Sequence, residues 1–109
     1  MISWSDFEKI DIRVGTIITV ADFPKARNPS YQLSIDFGEA GIKNSAAQIT
    51  ALYQKEMLIG KQVIAVVNFS PKQIANFFSE CLVLGIYNED KQVVLLQPGK
   101  AVKNGCKIG

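Results

Sequence analysis

No histidine occurs anywhere in these 109 residues. Its absence removes Ser-His-Asp and Cys-His machinery and the commonest transition-metal ligand. Acid–base chemistry is left to carboxylates, lysines and tyrosines. Cysteine is scarce: Cys81 and Cys106 show no C-x-x-C spacing, and no disulfide framework is expected. They read as two reduced thiols, with Cys81 a small hydrophobe in a core strand. No segment reaches the ~18–20 apolar residues of a membrane span. The opening residues, Met1 to Lys9, lack the basic-then-apolar order of a signal peptide. The expected location is cytoplasmic. Net charge is only +2, unevenly spread: acids outnumber bases by one up to Gly60, and bases outnumber acids by three after it. That bias is far short of the strongly basic profile of a dedicated nucleic-acid binder. No nucleophile–base pair, metal cluster or phosphate-cradling glycine loop appears. Neither catalysis nor a cofactor is expected.

What the chain does have is enough apolar residue, 48%, for one domain spanning residues 1–109. Its organising stretch is Val63 to Tyr87. Two apolar runs, Val63–Phe69 and Cys81–Tyr87, flank a polar and aromatic connector, Ser70–Glu80. Short β-branched runs bounded by turn signals read as buried strands. The connector lies where two core strands leave the sheet, a place where binding residues tend to sit.

The remaining elements follow from pattern. Ser5-Asp6-Phe7-Glu8 fits a capping box and predicts a helical turn near the start. Met1, Ile2, Trp4 and Phe7 surround it and must dock on the chain's own barrel or on a partner. Ile10 to Val20 alternates, with Ile10, Ile12, Val14, Ile18 and Val20 on one face; Gly15 suggests a bulge or bend. Tyr31, Leu33, Ile35 and Phe37 alternate in a second strand, and Ile42–Ile49 reads as a third. Thr50–Leu58 is the one good helix candidate, with Leu52, Tyr53 and Met57 expected to face the core. Asn88–Lys91 is a hairpin loop before a last strand at Val93–Leu96. A single helix between the third and fourth strands of an all-β chain predicts a five-stranded OB-fold barrel; an SH3-like barrel is the rival.

Asp11-Ile12-Arg13-Val14-Gly15, Phe23-Pro24, Ile35-Asp36-Phe37-Gly38, Val66-Val67-Asn68, Pro71-Lys72, Ser79 and Val94-Leu95-Leu96-x-Pro98 occur in order across nearly the whole chain. This pattern resembles the tRNA-binding OB domain appended to some methionyl- and phenylalanyl-tRNA synthetases. Ser45-Ala46-Ala47-Gln48-Ile49-Thr50 and the ending Asn104 to Gly109 are similar to a free-standing bacterial form of that domain. That form is regarded as a homodimeric, export-related chaperone and as a tRNA-binding module.

The resemblance implies tRNA binding through Asn68, Lys72 and Ser79, with Phe77 or Phe78 available to stack on a base or a peptide. It implies a homodimer, for which Met1, Ile2, Trp4, Phe7 and Ile108 are the candidate interface. The alternative is a chaperone that holds unfolded preprotein segments in an apolar groove and serves the export machinery. Asp11 and Arg13 read as a solvated or structural pair, and Lys25, Arg27 and Lys43 as surface charge. The sequence departs from the family in the connector, where neutral Gln73 follows Lys72 and Asn76 replaces the usual glycine.

Overall fold

Residues 1–109 are described by a computed structural model. In chain order the elements are α1 (Trp4–Glu8), β1 (Ile12–Asp22), β2 (Tyr31–Asp36), β3 (Ile42–Ala47), α2 (Lys55–Leu58), β4 (Gln62–Val66), β5 (Lys72–Ile74), β6 (Phe77–Ser79), β7 (Leu82–Val83), β8 (Gly85–Tyr87) and β9 (Val93–Leu95). Five strands pair in the order β3-β2-β1-β4-β7, all antiparallel. The sheet curls into a nearly closed, OB-like barrel with α2 between β3 and β4. Ile17, Leu33, Ile35, Phe37, Leu58 and Val63 fill it. No helix is long and apolar enough to cross a membrane.

The two edges, β3 and the segment leading into β7, are stitched across residues 79–81. The Glu80 amide donates to the Asn44 carbonyl (2.7 Å) and the Asn44 amide to Glu80 Oε1 (2.9 Å). The Ala46 amide donates to Ser79 Oγ, and Ser45 Oγ to the Cys81 carbonyl, each at 3.0 Å. Side chains thus complete a ladder that the backbone alone leaves open.

β1 corrects the predicted alternation. Its inward positions are Gly15 and Ile17, then Val20 beyond a register shift between Ile17 and Thr19. The bulge therefore falls at Ile18, not Gly15. Ile10 and Ile18 are exposed, and Val14 is buried apart from the core cluster. Gly15 answers a packing need: a Cβ there would stand 2.6 Å from Phe37 Cδ1 and 2.7 Å from Ile35 Cγ2.

Other boundaries also move. The capping box is formed by Ser3 and Asp6 rather than Ser5 and Glu8, so α1 starts at Trp4. Asp6 serves the same reciprocal role as a glutamate, one methylene shorter. The predicted helix at 50–58 shrinks to the single turn of α2. Tyr53 explains this: its carbonyl accepts from Tyr31 OH (2.8 Å) and its hydroxyl from the Leu95 amide (3.0 Å), so it is committed to the barrel end. Leu58 is the buried plug, while Leu52 and Met57 are exposed. The run 81–87 breaks at Leu84, whose amide bonds Ile64 of β4 and whose carbonyl accepts from Leu96, beside β9. Ile86 and Tyr87 beyond the break are exposed.

The C-terminal segment lies along the start of β1. The Val14 amide donates to the Cys106 carbonyl, and the Gly105 and Ile108 amides donate to Val14 and Ile12. Arg13 is held by Asp11 (2.9 Å) and donates to the Gly105 carbonyl (3.2 Å), which makes the pair structural.

Candidate nucleic-acid interface

The connector between β4 and β7 folds as a hairpin of β5 and β6. Lys72 faces Ser79 across it, Gln73 faces Phe78 and Ile74 faces Phe77. Cross-strand partners share a face and neighbours along a strand do not. Lys72, Ile74, Phe77 and Ser79 therefore lie on one face, Gln73 and Phe78 on the other. The two-residue turn is Ala75-Asn76, with Ala75 in the left-handed region at φ 52°.

The five candidate side chains are in very different situations. Lys72 is exposed and takes no part in the chain's ion pairs, Lys9–Asp6, Arg13–Asp11 and Lys55–Asp22. Phe78 is 53% exposed. Phe77 is half-buried, its ring edge-on to Phe23 with centroids 5.4 Å apart. Ser79 Oγ accepts the Ala46 amide and donates to the Cys81 carbonyl. Asn68 accepts the Asp11 amide at 3.0 Å and donates to the Lys9 carbonyl at 2.8 Å. The hairpin thus stands between two anchored roots, with Lys72 and Phe78 left free.

Phe23 was assigned no role by sequence reasoning. Its contact with Phe77 brings the β1–β2 loop beside the hairpin, and that loop carries exposed Lys25 and Arg27. No spacing rule links positions so far apart in the chain; only the fold reveals the pairing.

Two apolar surfaces lie elsewhere. Ile2, Trp4 and Phe7 line a concavity with Ser3 and Gly109. Met1 and Ile2 are exposed and Trp4 is 82% exposed, an unusual state for an indole; Ile108 is 37% exposed. A second groove runs between Ala46–Ile49 and Leu82–Gly85, bounded by Tyr87, Val93 and Lys91. No cluster of potential metal ligands is present. Burial pushes the Cys81 thiol up to about 11, so it stays protonated. Lys55 is shifted upward by its hydrogen bond to Asp22.

The family described as "Putative tRNA binding domain" matches residues 12–107. With the OB-like barrel this defines the class: the chain belongs to the tRNA-binding domain family. A methionine–tRNA ligase of Nanoarchaeum equitans is 37% identical over 99% of this chain; the chain spans only 14% of that ligase. Among solved structures, the CsaA chaperone protein from Picrophilus torridus is 56% identical, covers all of both chains and superposes with a TM-score of 0.94. The chaperone CsaA from Bacillus anthracis is 51% identical over 100% of this chain and 99% of its own, with a TM-score of 0.95.

Proposed function

We propose that residues 1–109 act as one cytoplasmic, non-catalytic tRNA-binding domain that engages RNA through the β5–β6 hairpin and works as a homodimer. The observation that carries this reading is Lys72, an exposed cation without an ion-pair partner on a hairpin fixed at both roots. Lys72 contacts phosphate, and Phe78, on the opposite face of the hairpin, offers an open ring to an unstacked base that wraps its edge. Ser79 borders this contact, and Asn68 anchors the other root of the hairpin. Lys25 and Arg27 extend the cationic surface along the neighbouring loop. Because cations are few per subunit, two copies of the face on one RNA raise avidity without new contacts. The patch of exposed Met1, Ile2, Trp4 and Ile108 with half-buried Phe7 supports the assembly; a two-fold interface lets the same patch serve both subunits. Sedimentation at tens of micromolar should show a dimer, and a monomer there would remove this part of the proposal.

The groove beside β3 favours a second reading, in which extended segments of unfolded preproteins are held for the export machinery. Salt separates the two. Phosphate contacts release counterions, so tRNA affinity must fall steeply with salt, whereas burial of apolar surface is little affected. The expected result is weak tRNA binding that falls steeply from low to physiological salt. Tight, salt-insensitive binding of unfolded polypeptide with no measurable tRNA binding would replace the RNA reading with the second one.

A further inference from the structure

Asn68 sits two residues beyond the end of β4, exposed, at a position where the family pattern would have it touch RNA. Its amide is already committed. Oδ1 accepts the Asp11 amide and Nδ2 donates to the Lys9 carbonyl, the two residues that flank Ile10 in the link between α1 and β1. The neighbouring Val67 amide adds a bond to the Asp11 carbonyl at 2.8 Å. α1 has no buried residue of its own. Its place on the barrel therefore depends on how this link is fastened. Only a short side chain with one acceptor and one donor on the same planar group can close both bonds. Aspartate can accept from Asp11 but cannot donate to Lys9.

We propose that Asn68 is a positioning residue for assembly: it fastens α1 so that Ile2, Trp4 and Phe7 are presented to a second copy of this chain. Direct contact with RNA is left to Lys72 and its exposed neighbours. This inference rests on the dimer reading above and separates Asn68, which holds the interface in place, from Lys72, which touches the ligand.

Three measurements test it on Asn68→Ala and Asn68→Asp. The first is hydrogen exchange at the Asp11 amide and through α1. The second is sedimentation over a concentration series, with Trp4→Ala as a variant that weakens the patch directly. The third is tRNA binding by two copies joined through a flexible linker, which makes assembly independent of the patch. Loss of both hydrogen bonds in Asn68→Ala predicts roughly tenfold faster Asp11 exchange and about tenfold weaker self-association. Asn68→Asp keeps the acceptor for the Asp11 amide and loses only the bond to Lys9, so its Asp11 exchange should stay near the parent's while self-association weakens by a smaller factor. In the joined form, Asn68→Ala should bind tRNA as the parent does, while Lys72→Ala should not. Unchanged Asp11 exchange in Asn68→Ala overturns the positioning role. So does a joined Asn68→Ala protein that loses tRNA as Lys72→Ala does, because Asn68 is then a contact. If the parent itself sediments as a monomer, the dimer reading and the assembly role fall together, while Asp11 exchange still reports whether the clamp exists.

Discussion

Cys81 and Cys106 are the same residue type in opposite surroundings. Burial disfavours the Cys81 thiolate and raises its pKa from 9.0 to about 11; Cys106 is exposed. Alkylation at pH 8 should label Cys106 and spare Cys81 in the native protein, with both labelled after denaturation; peptide mapping reads the outcome. The sign for stability follows. The folded state keeps the proton that the unfolded chain releases near pH 9.0, so the Cys81 contribution is fully present below that pH. It is lost as pH rises through about 11. A Cys81→Ala protein should show less alkaline destabilisation over this window, and an unchanged profile would contradict the burial argument. Gly15 makes a second case. A Cβ there meets Phe37 and Ile35, both fully buried with little room to move. Gly15→Ala should cost ~1–3 kcal/mol in urea unfolding, as overpacking does.

The β5–β6 hairpin is an element under local strain. Ala75 holds φ 52° in a two-residue turn, where glycine has no Cβ to clash. A left-handed conformation costs an L-residue ~1–2 kcal/mol, and glycine returns part of that through unfolded-chain entropy. Ala75→Gly should therefore stabilise by up to about 1 kcal/mol, and Ala75→Val should destabilise. Urea midpoints decide; a loss on going to glycine would contradict the turn assignment. This hairpin also marks the limit of what the residues disclose in advance. The alternation of Leu33, Ile35 and Phe37 and the β-branched run at 63–67 put the central strands in the right places, because burial on one face imposes its period. β1 misled because Ile18 sits on a bulge, and one extra residue exchanges the faces beyond it. The helix at 50–58 was overextended because propensity does not register the tertiary bonds of Tyr53. At the candidate site, the family resemblance pointed to Asn68, Lys72 and Ser79. The partners of Asn68 and Ser79 lie far away in the chain, and nothing local shows that their side chains are already committed to backbone groups there.

At the scale of the whole molecule, one barrel presents separate surfaces: a hairpin with a free lysine, an aromatic patch at α1, and a groove beside β3. In the proposed dimer two hairpins face one RNA, and affinity depends on both the cation of each face and the distance between faces. Lys72 is the only cation between Lys61 and Lys91, so phosphate contact within this segment rests on it. The central claim is that the hairpin reads the RNA backbone. The most direct measurement is the affinity for tRNA over a range of salt concentrations, for the parent and for Lys72→Ala. The account predicts weaker binding by the variant at low salt and a log–log salt slope reduced by about one for each engaged face, with binding of unfolded polypeptide little changed. A Lys72→Ala protein that binds tRNA with the parent's affinity and the parent's salt slope would contradict it.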